Sequence, residues 1–128
     1  MPLNLLLVAV GGAFGAVMRY LTGIAAGRTL GVTFPYGTLI ANIAGGLAMG
    51  VLVGVLAFRG GAEQERWRLF IGVGVLGGYT TFSSFSLETA RMVAAKDWLQ
   101  ALGYSVGSVI ACVTAVFLGM FLMRKLLA

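Results

Sequence analysis

Long stretches without a charged residue constrain this chain more than any other feature. Residues 29–58, 69–87 and 98–123 contain no Asp, Glu, Lys or Arg, and Leu3–Ala26 contains only Arg19. A helix of about 20 apolar residues crosses the ~30 Å hydrocarbon layer of a bilayer. The sequence therefore predicts four membrane-spanning helices, at about 4–25, 35–57, 68–88 and 99–123.

Composition agrees with this interpretation and excludes several classes of protein. Hydrophobic residues make up 59% of the 128-residue chain and charged residues 10%, whereas soluble domains carry about 25% charged residues. The four spans use the whole chain. We therefore expect one all-α transmembrane domain over residues 1–128, with no soluble catalytic domain and no enzyme activity. The first span is not predicted to be a signal peptide, because no basic side chain precedes it.

Charge and metal-ligating residues limit the partners of the chain. The net charge is +5, but the cations are scattered over loops and the C-terminus. That distribution favours contact with lipid headgroups over nucleic-acid binding. Cys112 is the only cysteine, and the chain has no histidine and four acidic residues. We therefore expect neither an internal disulfide nor a transition-metal site.

The two sides of the predicted membrane domain differ little in charge. The side with both termini and the 58–67 loop carries five cations, and the other side carries three. The five are Arg59, Arg66, Arg68, Arg124 and Lys125, and the three on the other side are Arg28, Arg91 and Lys96. Under the positive-inside rule this small bias leaves two interpretations open. Either the richer side is cytoplasmic, or the chain inserts in both directions and pairs with an inverted copy of itself.

Small residues recur four positions apart in all four spans. The sets are Gly11 and Gly15; Gly46, Gly50 and Gly54; Gly74 and Gly78; and Gly103 and Gly107. This spacing lets helix backbones approach closely, so it predicts tight packing rather than a particular function. Because four short helices enclose little volume, we expect a pore to need a second subunit.

The third span contains residues 77–86, Gly-Gly-Tyr-Thr-Thr-Phe-Ser-Ser-Phe-Ser. Each glycine weakens a helix by about 1 kcal/mol relative to alanine, so the pair Gly77 and Gly78 predicts a helix break inside the membrane. A break frees backbone carbonyls, notably those of Gly77 and Thr80. Carbonyl oxygens that converge from broken helices suit a group I or group II cation.

Phe82 and Phe85 share a helix face and flank the hydroxyls of Ser83 and Ser84. Aromatic ring edges carry partial positive charge. They can hold an anion edge-on where water is excluded and hydroxyl or amide donors assist. The usual alternative for two phenylalanines in a membrane helix is contact with lipid or packing in the core.

Two polar residues of the first two spans each allow two interpretations. Asn42 is the lone amide of the second span and shares a helix face with Thr38. It either links helices, for about 0.6 kcal/mol, or lines a pore. Arg19 is interfacial if the first helix ends early; otherwise it forms an electropositive mouth for an anion path. A cation facing lipid at the bilayer centre costs at least about 2.5 kcal/mol.

Polar residues of the third and fourth spans complete the candidates. We expect Glu88 to form a helix-surface ion pair with Arg91, three positions later. Tyr104, Ser108 and Cys112 are four positions apart and lie on one face of the fourth helix, where they can form a weakly polar track. Alternatively, Ser108 bonds back to its own helix and Cys112 packs as a small apolar side chain.

Residues 77–86 closely resemble the signature Gly-Gly-x-(Ser/Thr)-Thr-Phe-Ser-(Ser/Thr)-Phe of the small bacterial fluoride channels, the Fluc or CrcB family. Supporting matches are Gly11-Gly12 and Arg19, Gly37-Thr38 with Asn42, and Glu88. The likeness extends over all four spans. It implies a four-helix subunit with a broken third helix that forms an antiparallel, dual-topology homodimer in the bacterial cytoplasmic membrane. Both subunits would contribute to each of two fluoride pores.

The resemblance also implies roles for individual residues. Asn42 would be the pore amide, and the ring edges of Phe82 and Phe85 would contact fluoride. The carbonyls of Gly77 and Thr80 from both subunits would hold a central, structural sodium ion that is not transported. The remaining pore candidates are Thr38, Ser83, Ser84, Tyr104, Ser108 and Arg19. Cys112 stands where the family is expected to have serine, and a thiol is a poorer donor than a hydroxyl.

The function expected from this resemblance is passive, fluoride-selective export that relieves fluoride toxicity. Fluoride enters cells as neutral HF, becomes trapped as the anion, and is driven outward by an electrically negative interior. Two rivals remain on the sequence alone. A small dual-topology, proton-coupled multidrug exporter needs an intramembrane carboxylate, and the first, second and fourth spans contain none. A scaffold subunit explains the glycine spacing but not the cluster of hydroxyls and phenylalanines.

Overall fold

The computed structural model describes all residues, 1–128, and contains helices and no strands. Four helical segments are long and apolar enough to cross a membrane, which confirms the predicted number of spans. They are Pro2–Leu30, Tyr36–Arg59, Gly61–Ala94 and Trp98–Leu127. The chain is therefore a multi-pass, all-α membrane protein.

Three spans are single helices: α1 (Pro2–Leu30), α2 (Tyr36–Arg59) and the last helix of the chain (Trp98–Leu127). All three end beyond the predicted limits, most of all α1, which was expected to end near residue 25. Charge and polarity show where the hydrocarbon layer ends, whereas a helix continues until its backbone is interrupted. Gly31 ends α1 with a φ of 88°, a conformation that favours glycine.

The third span is a series of short elements rather than one helix. A 3₁₀ turn (Gly61–Glu63) and a short helix α3 (Gln64–Trp67) lead into a π-helical stretch (Arg68–Leu76). There follow one turn of helix α4 (Gly77–Tyr79), an interruption at residues 80–81, and helix α5 (Phe82–Ala94). The last helix is accordingly α6. A broken third span is thus confirmed.

The break lies after the paired glycines rather than at them. Gly77 and Gly78 are helical, whereas Thr80 and Thr81 are extended, with φ and ψ of −80° and 158° and of −150° and 122°. Gly78 instead permits close packing, because a Cβ there would lie 2.5 Å from the carbonyl oxygen of Gly12. The extended conformation suits β-branched threonine, so the glycines weaken the helix and the threonines interrupt it.

Glycines bring the helix backbones together, as their spacing predicts, in three of the four spans. A Cβ on Gly11 would lie 2.5 Å from the carbonyl oxygen of Phe70 in the π-helical stretch. Between α2 and α6, a Cβ on Gly50 would overlap the carbonyl of Val116. Gly103 and Gly107 make no such contact within the subunit, where no other atom lies within 4 Å of a built Cβ. These two face outward from the subunit.

Most of the subunit surface is apolar. Only 16 of 128 residues are buried, so large side chains such as Phe14, Phe117 and Leu99 point away from the helix bundle. Outward apolar side chains are what helices surrounded by lipid require.

Candidate functional site

An open groove of about 430 Å³ lies beside the break of the third span. It brings together Asn42 of α2, Thr81 of the break, and residues of α5 and α6 that the sequence singled out. Those residues are Phe82, Phe85, Ser108 and Cys112, and Thr80 of the break lies beside them. None of the 13 residues that line the groove is charged. Polar contacts in the groove therefore come only from neutral amide, hydroxyl, thiol and backbone groups.

Asn42 binds the backbone of the break through both ends of its amide. Its Nδ2 donates to the carbonyl oxygen of Thr81 at 3.0 Å, and its Oδ1 accepts from the Thr81 N–H at 2.8 Å. The link between helices that was one interpretation of Asn42 is thus present. An amide nitrogen carries two hydrogens, so one remains for another acceptor.

The carbonyls of Gly77 and Thr80 lose the N–H partners that a continuous helix would give them. In an α-helix each N–H bonds to the carbonyl four residues earlier. The Thr81 N–H is bound to Asn42 instead of Gly77, and the Ser84 N–H is bound to Thr81 Oγ1, at 3.1 Å, instead of Thr80. The donor set of the two carbonyls is hard oxygen, which is the chemistry that a group I cation accepts.

Phe82 and Phe85 form a ring pair at the start of α5, with centroids 5.5 Å apart and an interplanar angle of 45°. Phe82 is 77% exposed in the subunit, whereas Phe85 is half-buried and lies 5.2 Å from the ring of Tyr104. Ser83 is exposed, and its hydroxyl lies 3.2 Å from the hydroxyl of Thr81. The pair thus has one member fixed by packing and one open to the groove.

Glu88 does not pair with Arg91, so that prediction is wrong. Its two carboxylate oxygens accept hydrogen bonds from Thr38 Oγ1 at 3.0 Å and from Tyr104 Oη at 3.3 Å. Arg91 is exposed, whereas Glu88 is bound by side chains of α2 and α6. The ion pairs of this chain lie elsewhere, at the start of the third span, between Glu63 and Arg66 and between Glu65 and Arg68.

Arg19 lies in the interior of α1, not at its end, which excludes the interpretation that the helix stops early. It lines a second cavity, of about 300 Å³, together with Thr38 of α2 and Gly23 of its own helix. Its Nε donates to the carbonyl oxygen of Gly78 at 3.4 Å. A cation at the end of α4 interacts favourably with the exposed carbonyls there. The predicted site residues are thus divided between two cavities.

The polar face of α6 is only partly as expected. Ser108 does not bond back to its own helix: its hydroxyl is buried and has no hydrogen-bond partner. Ser105 makes the backward bond instead, at 2.7 Å to Ala101. Ser108 and Cys112 line the groove, while Tyr104, 3% exposed, is buried behind Phe85. A buried hydroxyl without a partner is uncommon and costs about 1–3 kcal/mol.

Comparison with known proteins identifies the family. The family model described as CrcB-like protein, Camphor Resistance (CrcB), matches residues 6–120. The chain belongs to the CrcB family.

Relatives of this CrcB-family chain agree over nearly the full length. A protein of Phenylobacterium zucineum named fluoride-specific ion channel FluC is 57% identical over 97% of this chain and 98% of its own length. Proteins of the same name from Caulobacter sp. strain K31 and Mesorhizobium japonicum are 54% and 47% identical, over 96% of this chain and 96% and 98% of their own lengths. This CrcB-family chain is thus placed with ion channels rather than with enzymes.

Sequence reasoning missed the part that Thr81 plays in this CrcB-family chain. Its backbone binds Asn42, and its hydroxyl caps α5 by accepting the N–H of Ser84. The signal was present, because threonine immediately before the first residue of a helix is a common N-cap. Gly45 was also missed; a Cβ there would overlap the Thr80 side chain. Nothing in its spacing marked it.

Proposed function

We propose that this chain forms a fluoride-selective channel that passively exports fluoride and so relieves fluoride toxicity. The observation that carries the proposal is the groove at the break. It combines a spare amide hydrogen of Asn42, the ring pair Phe82 and Phe85, and the unpartnered hydroxyl of Ser108, with no charged residue among its lining. The relatives named as fluoride-specific ion channels support the choice of ion.

Neutral donors suit passage rather than storage of an anion. A conducting site must bind well enough to replace water and weakly enough to release the ion. Amide, hydroxyl and ring-edge groups provide partial positive charge without the strong attraction of a cation. A narrow, dehydrated path of such groups favours a small anion over chloride. Thr38, Tyr104, Ser83 and Ser84 extend the same kind of lining, and Arg19 gives an electropositive entrance.

We further propose that two chains assemble as an antiparallel, dual-topology homodimer with two pores. One subunit leaves the groove open and Phe82 77% exposed, which is poor protection for a path that must exclude water. Gly103 and Gly107 present an unfilled outer face of α6 on which another helix can pack closely. The small charge difference between the two sides permits insertion in both directions.

We propose that the carbonyls of Gly77 and Thr80 bind a structural sodium ion at the centre of this dimer. Both carbonyls lack their helical N–H partners, and neutral oxygens satisfy a group I cation without adding negative charge beside an anion path. The ion would supply a fixed positive charge and join the two subunits. Gly77 and Thr80 of both copies would hold it.

The driving force needs no coupling chemistry. Moving one negative charge out of a cell with an interior potential of −100 mV is favourable by about 2.3 kcal/mol. We place the channel in the bacterial cytoplasmic membrane, where that potential exists and where fluoride trapped from HF accumulates.

Efflux from liposomes tests this function. Purified protein is reconstituted into vesicles loaded with potassium fluoride, and external fluoride is followed with an electrode after valinomycin removes the charge build-up. Fast release of fluoride, with potassium chloride vesicles silent, is the expected result. Release of an organic cation under a pH gradient, without fluoride release, would instead favour a proton-coupled exporter. The absence of any flux would favour a scaffold.

A further inference from the structure

The side chain of Asn42 occupies the place of a peptide group beside Thr81. Its Oδ1 accepts the Thr81 N–H at 2.8 Å and its Nδ2 donates to the Thr81 carbonyl at 3.0 Å. In a continuous helix the same N–H would belong to the carbonyl of Gly77. Asn42 and Gly77 therefore compete for one donor, and in this structure Asn42 has it.

This competition explains where the third span breaks. An unsatisfied backbone group inside a membrane costs several kcal/mol, because no water is present to replace the lost hydrogen bond. Asn42 satisfies both groups of Thr81 at once. No side chain binds both the N–H and the carbonyl of Gly77 or Gly78, since Arg19 reaches only the Gly78 carbonyl, and both glycines remain helical. The break thus falls at the residue for which α2 supplies a substitute peptide group.

We propose that Asn42 is a positioning residue for the cation site as well as part of the anion path. By holding the Thr81 N–H, its carbonyl oxygen keeps the helix open and leaves the carbonyl of Gly77 free to bind a group I cation. Its amide nitrogen holds the Thr81 carbonyl with one hydrogen and offers the other to an anion. The inference rests on the proposed function for the identity of both ions.

A consequence is that cation binding and the Asn42 contact support each other. Without Asn42, the Thr81 N–H is free to return to Gly77, and the carbonyl that would bind the cation is consumed. Because linkage is reciprocal, a cation on Gly77 also favours the open helix that Asn42 binds. The two halves of the amide can be separated by substitution, since only the oxygen is needed for the Thr81 N–H.

The test is the sodium dependence of thermal unfolding, measured on purified protein in detergent, with N-methyl-D-glucamine replacing sodium. Asn42→Ala removes the acceptor, so the sodium concentration for half-maximal stabilisation should rise about tenfold, the effect of one buried hydrogen bond. Asn42→Asp keeps an acceptor oxygen, so it should respond at the wild-type concentration or lower. Asn4→Ala, at the other asparagine of the chain, is the matched control and should equal wild type.

Fluoride efflux is expected to rank the Asn42 variants differently from their sodium response. Asn42→Asp places a fixed negative charge beside the path and should abolish efflux while its sodium response persists. Asn42→Ala should lose both. A role limited to fluoride contact predicts that Asn42→Ala retains the sodium response of the wild type, and that result would overturn the inference. Failure of wild-type efflux would refute the proposed function instead, since the sodium titration does not depend on it.

A backbone substitution addresses the possibility that Asn42→Ala does not fold. An ester in place of the amide at residue 81 deletes only the N–H that Asn42 binds. With that N–H gone nothing can return to the Gly77 carbonyl, so the ester protein should respond at the wild-type sodium concentration, and adding Asn42→Ala should no longer raise it. An ester at Ala90, within α5, is the control. A tenfold weaker sodium response in the ester-81 protein, or an Asn42→Ala effect as large there as in the ester-90 control, would overturn the inference.

Discussion

The hydroxyl of Thr38 donates a 3.0 Å hydrogen bond to Oε2 of Glu88. This contact joins the first turn of α2 to α5, and Tyr104 of α6 reaches the other carboxylate oxygen. Three helices are thereby tied together on the side of the break nearest the turn between α5 and α6. Hydroxyl groups of α2 and α6 thus donate to the Glu88 carboxylate, and no cation of α5 pairs with it.

Replacing Thr38 by valine keeps its shape and removes that donor. Since hydrogen bonds to charged groups are worth about 1.5–3 kcal/mol, Thr38→Val should lower the free energy of unfolding by that amount and reduce fluoride efflux. Thr33→Val is the control, because Thr33 is exposed between α1 and α2. Chemical denaturation in detergent measures the difference. Equal stability of both variants would contradict a role for the Thr38–Glu88 contact.

Gly15 allows α1 to touch the third span, since a Cβ there would overlap the backbone of Val75. Because backbone cannot move aside as a side chain does, Gly15→Ala should cost about 3 kcal/mol, the upper end of the usual range for overpacking, and sharply reduce the yield of folded protein. Gly103→Ala, with nothing within 4 Å, should leave the fold of the subunit intact. Gel-filtration yield and melting temperature report both. A well-folded Gly15→Ala protein would refute the packing described between α1 and the π-helical stretch.

Replacing Ser108 should affect fluoride efflux without lowering stability. Its hydroxyl is buried without a partner, so Ser108→Ala should leave stability unchanged or raise it by about 1 kcal/mol. The same change removes a donor from the groove and should slow fluoride efflux. Ser105→Ala, which loses only a bond to its own helix, should not change efflux. If Ser108→Ala conducts as fast as Ser105→Ala, the hydroxyl has no part in the path.

Phe82 and Phe85 should respond differently to truncation. Phe85 packs against Tyr104 and a buried cluster with Met92, so Phe85→Ala should cost up to about 3 kcal/mol and also lose efflux. Phe82 is 77% exposed in the subunit, so Phe82→Ala should lose efflux with a smaller change in subunit stability. Unfolding and efflux assays on the two variants decide between these outcomes. Normal efflux in Phe82→Ala would remove its ring from the ion path.

Dual topology predicts that each loop is reached from both sides of the membrane. In a Cys112→Ser background, Thr33→Cys and Glu63→Cys mark loops on opposite sides of one subunit. An impermeant thiol reagent applied to intact cells should label about half of each variant. Complete labelling of one and none of the other would mean a single orientation and would exclude the antiparallel dimer.

Composition and local pattern were enough to predict the four spans and the presence of a break. Hydrophobic length follows from bilayer thickness, and glycine and threonine weaken a helix wherever they stand. The glycine spacing likewise predicted close backbone contacts, as Gly11 and Gly50 show. The same reasoning placed the break at Gly77 and Gly78, because local sequence does not reveal that Asn42 of α2 binds the backbone of Thr81.

Only the tertiary structure decided which polar groups meet. Asn42 and Thr81 lie 39 residues apart and Thr38 and Glu88 lie 50 apart, distances over which sequence spacing says nothing. The near neighbour Arg91 was therefore the wrong partner for Glu88, and Thr81 went unrecognised. In a membrane each exposed backbone or carboxylate group requires a partner. The sequence by itself determined how many such groups exist, and the packing of the helices determined which side chains satisfy them.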